Sequence, residues 1–243
     1  MARTVLQVRD VTKRFGGLVA VANMNFDVTE HEVLGIIGPN GSGKSTMINL
    51  ISGTFAPSAG SIRLNGTEIA GKAAHRIARL GMARTFQLVR LLPELSVVEN
   101  VIAGAAFGYR RRWGAEAEAK ARNLLERVGL GEVMNVPVSE LTYINTKRVE
   151  LARALACDPE VLLLDEWLAG LNPTELATGI ALIHSLRDEG RTIILVEHVM
   201  DAIRSLCDRC VVMSSGAKIA EGTPQDVLSE PEVIRVYLGA DDA

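Results

Sequence analysis

The run Gly38-Pro39-Asn40-Gly41-Ser42-Gly43-Lys44-Ser45-Thr46 fits the spacing G-x-x-x-x-G-K-[ST] in full. Glycines at such a turn let backbone N–H groups point inward around phosphate oxygens, and a helix that starts at its end offers the same anion its positive N-terminus. Lys44 supplies a point charge for the β- and γ-phosphates, and the Ser45 hydroxyl is a ligand for Mg²⁺. The setting supports this chemistry. Val33-Leu34-Gly35-Ile36-Ile37 is a short continuous apolar run before the loop, and Thr46-Met47-Ile48-Asn49-Leu50-Ile51 patterns as a helix after it. The bland alternative, a glycine-rich turn that binds nothing, is disfavoured by that strand and helix. The expected ligands are ATP and Mg²⁺.

A magnesium-binding acid belongs at the end of a second buried strand, and Val161-Leu162-Leu163-Leu164-Asp165-Glu166 supplies one. Asp165 is expected to hold Mg²⁺ through water, and Glu166 is placed to polarise an attacking water. Alone, paired acids at a strand end are often a solvated turn; beside a phosphate loop they point to catalysis. His198 follows the apolar run Ile193 to Val196. In an open α/β sheet the carboxyl ends of strands are where ligands bind, so His198 can meet the γ-phosphate or orient the water. A lone histidine is more often structural, and His31, His75 and His184 lack a comparable setting. The cysteines are Cys157, Cys207 and Cys210. Cys207 and Cys210 have redox or metal-site spacing, but no second ligand pair exists and Val211-Val212-Met213 reads as a buried strand. They are expected to be small buried side chains in a reducing compartment.

The remaining elements must position these groups. The chain has 243 residues, 48% of them hydrophobic, which suits one large domain with a buried core. Its net charge of -3 argues against a general nucleic-acid binder. No secretory signal is visible at Met1-Ala2-Arg3-Thr4, and no apolar run approaches a membrane span, so any membrane link is expected to come through a partner. Val5 to Val11 and Met24 to Val28 alternate as half-buried strands and are expected to pair antiparallel. Ser61 to Gly66 is a strand ending in an Asn-Gly hairpin turn. From Ser96 to Leu130 the pattern is helical; Glu116 and Lys120 are spaced for an i,i+4 pair, and Gly129 and Gly131 can end the helix. Val161 to Leu164, Glu175 to Glu189 and Thr192 to Val196 form a βαβ rhythm. The fold class expected is α/β: a P-loop core of mainly parallel sheet, an antiparallel β subdomain and an α-helical subdomain.

Taken in order, these motifs resemble the nucleotide-binding subunit of an ABC transporter over essentially the whole chain. Gly38 to Thr46 corresponds to the Walker A loop, and Asp165 with Glu166 to Walker B and its catalytic carboxylate. The resemblance implies that Phe15 stacks on adenine and that Gln87, in Arg84-Thr85-Phe86-Gln87, touches Mg²⁺ and the water. It makes His198 the switch histidine and Gly170-Leu171-Asn172-Pro173 the D-loop region that faces another subunit. It further implies a single nucleotide-binding domain over 1–243 with a helical subdomain at about 88–156 that receives a permease's coupling helix. Lys13 to Val21, Arg84 to Gln87, and the tail from Ile219-Ala220-Glu221-Gly222-Thr223-Pro224 to Val236-Tyr237-Leu238-Gly239 resemble the bacterial and archaeal branched-chain amino acid uptake group. That group pairs two different ATPase subunits with two permeases and a solute-binding protein, at the cytoplasmic face of the membrane. A soluble ABC ATPase acting on DNA or ribosomes fits less well, because the tandem domains or long coiled-coil inserts usual there are missing. A regulatory subunit that binds nucleotide without hydrolysis is disfavoured by Glu166 and His198.

One motif departs from the family. Its signature, Leu-Ser-Gly-Gly-Gln or Leu-Ser-Tyr-Gly-Gln, is replaced by Leu141-Thr142-Tyr143-Ile144-Asn145, while Arg148 to Ala156 keeps the family pattern. Thr142 retains a hydroxyl. Ile144 takes the place of a glycine whose backbone lies against the other subunit's γ-phosphate, and a β-branched residue disfavours both close approach and a positive φ. Asn145 is shorter than glutamine, and Trp167 replaces the proline that usually follows the catalytic glutamate. The expected consequence is an asymmetric pair with a second, different ATPase subunit; the alternative is a homodimer with two compromised sites and slow turnover. Finally, Tyr109-Arg110-Arg111-Arg112-Trp113 is a basic, aromatic cluster that reads either as a solvated loop or as a contact with a permease or lipid headgroups.

Overall fold

The computed structural model describes residues 3–238. In chain order the elements are β1 Thr4–Phe15, β2 Leu18–Thr29, β3 Val33–Ile37, α1 Lys44–Ile51, β4 Ala59–Leu64, β5 Thr67–Glu68, α2 Ala74–Ala78, β6 Met82–Arg84, α3 Val97–Phe107 and α4 Gly114–Arg127. They continue as α5 Tyr143–Ala156, β7 Val161–Asp165, α6 Pro173–Asp188, β8 Thr192–Val196, α7 Met200–Leu206, β9 Arg209–Ser214, β10 Ala217–Gly222, α8 Pro224–Ser229 and α9 Pro231–Leu238.

Two sheets form. The order β2-β1-β4-β5 is antiparallel throughout, and the β4–β5 turn places Asn65 (φ 48°) and Gly66 (φ 75°) in the left-handed region that a tight hairpin requires. The six-stranded sheet runs β10-β9-β3-β8-β7-β6, parallel except for β10. Every residue of β3, β7 and β8 is buried, because both faces of this sheet are covered.

The period of two along those strands divides the core. Val33, Ile37, Leu162, Leu164, Ile193 and Leu195 face a cluster built from α3 to α7. Leu34, Ile36, Val161, Leu163, Ile194 and Val196 face α1 and the antiparallel sheet. The central sheet is thus the middle of three layers, and the carboxyl ends of β3, β8 and β7 open side by side on one edge.

Local signals set several boundaries. Ser96 and Glu99 form a capping box at the start of α3, and Asn172 and Glu175 form another at α6, where Pro173 takes the first turn. Gly129, at φ 76°, follows the end of α4. The expected Glu116–Lys120 pair does not form. Glu116 meets Arg112, while Lys120 reaches Asp158 beyond α5. Helical spacing brought the pair within range, and a more buried carboxylate from another element took the lysine.

Candidate active site

The phosphate loop closes tightly on its surroundings. Gly38 has φ 150°, and a Cβ there would stand 2.1 Å from the Met213 carbonyl oxygen; at Gly43, φ 103°, it would meet Ala20 O at 2.5 Å. Gly43 is also the N-cap of α1 and makes no side-chain cap bond, so the first backbone N–H groups of the helix remain available to an anion. Lys44 is buried and donates to Gly38 O at 2.7 Å and Pro39 O at 2.9 Å. Burial lowers its pKa, against the opposing pull of Glu166 and Asp165. Asn40, Gly41, Ser42, Gly43, Lys44, Ser45, Thr46 and Glu166, together with Phe15, line a cleft of about 640 Å³, large enough for a nucleotide. Phe15 is 43% exposed, and its ring meets Phe55 edge to face at 5.4 Å.

Asp165 closes β7, where its Oδ2 lies 2.7 Å from Arg84 Nη2; their side chains are 5% and 9% exposed. Arg84 also donates to Asn49 Oδ1 and Ser52 Oγ, both at 2.8 Å. Asp165 therefore has one carboxylate oxygen committed to a guanidinium. Glu166 sits at φ 47°, with its N–H on Val196 O at 2.8 Å. Its Oε2 accepts from Gln87 Nε2 at 2.7 Å. His198 lies in the segment after β8, one strand over, with its side chain exposed.

Residues outside the sequence motifs hold this arrangement. Glu150, buried on α5, accepts the N–H of Phe86 at 3.1 Å and of Arg90 at 3.0 Å, on either side of Gln87. Burial raises its pKa. Lys147, three residues earlier on the same helix, is 1% exposed and donates to backbone carbonyls just after β7. Glu197, immediately before His198, is 0% exposed, and burial pushes its pKa up to about 7. Sequence reasoning passed over all of them. The available signal was a charged residue inside an otherwise apolar pattern, as Glu197 is after Ile193 to Val196.

Thr142, Tyr143, Ile144 and Asn145 stand apart from this chain's own phosphate cleft. Thr142 is the N-cap of α5, and the other three residues form its first turn. Ile144 is helical there and keeps the negative φ that a β-branched residue favours. It is half-buried and lines a small cleft with Trp167 and Gly179, while Thr142 and Tyr143 are exposed. The basic cluster also divides. Arg112 turns inward to Asp158 and Glu116, and Arg110 and Arg111 are exposed beside the Phe107–Trp113 pair. Cys207 and Cys210 are buried free thiols flanking Gly35, where a Cβ would come within 2.9 Å of both sulfurs. Their mutual hydrogen bond and burial raise the Cys207 pKa. In the tail, Thr223 caps α8 and α9 runs to Leu238; Gly239 lies outside the described residues.

A glycine loop entering a helix from one buried parallel strand, with carboxylates ending another, defines a P-loop nucleoside triphosphatase. The ABC transporter family model matches residues 21–169, and the chain belongs to that family of ATP-binding transport ATPases. A second model, described as a branched-chain amino acid ATP-binding cassette transporter, matches residues 217–243. The chain is 42% identical to the high-affinity branched-chain amino acid transport ATP-binding protein BraF of Pseudomonas aeruginosa, over 98% of this chain and 99% of that one. It is 40% identical to LivG of Escherichia coli, a protein of the same description, with the same coverage. Among solved structures, the ADP conformation of an ATP-binding cassette of an ABC transporter superposes with a TM-score of 0.88 at 30% identity, covering 98% of this chain and 99% of that one. Among the described residues, no helix is long and apolar enough to cross a membrane.

Proposed function

We propose that this chain hydrolyses Mg-ATP with Glu166 as general base and powers a membrane importer for branched-chain or related amino acids. The catalytic reading is carried by the 2.7 Å bond from Gln87 to Glu166 at the cleft that Lys44 and Ser45 line. Backbone N–H groups of the loop and the Lys44 ammonium bind the phosphates. Ser45 and Asp165 would hold Mg²⁺, with Gln87, bonded to the adjacent Glu166, as a further ligand, and the metal would supply charge neutralisation at the phosphates. Glu166 accepts the proton of the water that attacks the γ-phosphorus, while the bond from that phosphorus to the β,γ-bridging oxygen breaks and ADP leaves; Gln87 orients the carboxylate, and His198, after the next strand, is the group suited to the γ-phosphate. Phe15 offers a face for the adenine ring.

The solute class rests on the relatives named for branched-chain amino acid transport, since an ATPase subunit does not touch the solute. Two permease subunits are the membrane partners, with a solute-binding protein engaged indirectly. An apolar groove of about 370 Å³ suits a permease helix; its walls include Ile77, Met82, Phe86, Leu92, Ala103 and Arg153, adjoining Gln87. The subunit then sits peripherally at the cytoplasmic face of the inner membrane. Nothing in the charge balance favours nucleic acid. Ile144 and Asn145 favour a second, different ATPase subunit over a homodimer. Each ATP would lie between one subunit's phosphate loop and the other's signature, so this chain's loop would work against an intact partner signature.

Replacing Glu166 with Gln tests the catalytic reading. The variant should bind a fluorescent ATP analogue as the wild type does and lose turnover. Normal hydrolysis by that variant overturns the assignment.

A further inference from the structure

The four residues from Glu166 to Ala169 have their backbone gripped by two buried ionisable side chains from different elements. Lys147, on α5, donates from Nζ to Ala169 O at 2.6 Å, Trp167 O at 2.9 Å and Glu166 O at 3.4 Å. Glu197, after β8, accepts the Leu168 N–H on Oε1 at 2.7 Å. A cation meets the carbonyls and a carboxyl meets the amide, so each matches the polarity of the group it holds. The Trp167 side chain is buried, and its indole N–H returns to Lys147 O at 3.1 Å, closing the connection between the turn and α5.

Burying two ionisable groups to hold one short turn is costly, and neutral side chains could satisfy the same backbone groups. What the turn contains explains the arrangement. Glu166 is held at φ 47°, a left-handed conformation that non-glycine residues rarely adopt, and strain of this kind persists only where surrounding contacts enforce it. Its carboxylate is the one that meets Gln87. The loop carrying Gln87 is itself tied to α5 through Glu150. One helix therefore holds both partners of the Gln87–Glu166 bond.

We propose that Lys147 and Glu197 are positioning residues for ATP hydrolysis, fixing the strained turn that aims Glu166 into the phosphate cleft. The proposal rests on the reading of Glu166 as general base. It has a structural consequence. The exposed Tyr143 ring, in the first turn of α5, lies 5.0 Å from Lys147 Nζ. A partner that displaces this turn would act on the lysine and through it on Glu166.

The test is steady-state ATPase kinetics of the full chain, with nucleotide affinity and thermal unfolding measured on the same preparations. Lys147→Met should lower kcat about 100-fold, the scale of a 1 Å misplacement, with KM for ATP little changed. Lys147→Arg, which can reach the same carbonyls, should recover most of that loss. Glu197→Leu should lower kcat, whereas Glu197→Gln, which still accepts the Leu168 N–H, should not. Wild-type kcat in Lys147→Met, with Glu166→Gln inactive, overturns the positioning role and leaves the base in place. Turnover by Glu166→Gln overturns the base reading instead. Loss of ATP affinity in step with kcat, without rescue by Lys147→Arg, marks a merely structural lysine and also overturns the proposal. If Lys147→Met does not fold, Glu197→Leu decides, and wild-type kcat in that variant counts against the proposal.

Discussion

The guanidinium of Arg84 lies 2.7 Å from Asp165 Oδ2, with both side chains almost fully buried at the edge of the phosphate site. Removing one member of a buried pair leaves the other charge uncompensated, which costs about 3–5 kcal/mol. Arg84→Met should therefore destabilise the chain by about that much and lower Tm by roughly 10 °C, as read by calorimetry. Arg84→Lys should not restore full stability, because the guanidinium also serves Asn49 and Ser52 and an ammonium cannot reproduce its planar fork. A Tm within a degree or two of wild type for Arg84→Met would show that the pair contributes little.

Gln87 has a narrower role. Its Nε2 holds the Glu166 carboxylate without lining the phosphate cleft. Gln87→Ala should lower kcat about tenfold or more and leave ATP affinity nearly unchanged, the pattern expected when an orienting contact is lost. A rise in KM with kcat intact would assign Gln87 to ground-state binding.

Glu197 makes stability depend on pH in a stated direction. Its carboxyl moves from 4.5 to about 7 in the fold, chiefly by burial, with Glu166 adding to the shift and Lys147 on α5 and the Leu168 and His198 amides opposing it. Between those values the native state keeps a proton that the unfolded chain has released. Stability therefore falls as pH rises through this window, and the full penalty of roughly 3 kcal/mol is present above it. Glu197→Gln removes the titration. Urea unfolding at pH 5, 6, 7 and 8 should show the variant gaining on wild type as pH rises, and a constant difference would contradict the buried carboxyl.

The signature substitutions can be reversed. Ile144→Gly with Asn145→Gln should cost the isolated chain about 1–3 kcal/mol, because Ile144 is half-buried near Trp167 and glycine is a poor helix former. If the altered signature limits pairing, the same variant should nonetheless self-associate on ATP addition and hydrolyse faster. Unchanged sedimentation and turnover would show that another feature limits the homodimer.

Much of the fold and the phosphate site was legible in the sequence for a physical reason. The apolar runs of β3, β7 and β8 report burial on both faces. The phosphate loop, the Asn65-Gly66 turn and the capping boxes at Ser96 and Asn172 act through residues only a few positions apart. Such features are decided by local sterics and hydrogen bonding, so they appear as spacing. Where local spacing was read alone it also misled: Glu116 and Lys120 each took another partner. Tertiary structure alone decided which buried charges support the site. Arg84 finds Asp165 across 81 positions, Glu197 finds Leu168 across 29, and Lys147 finds Trp167 across 20. No periodicity joins residues so far apart. They meet because the parallel strands end on one edge and α5 packs over it, and desolvation there makes each surviving polar contact consequential.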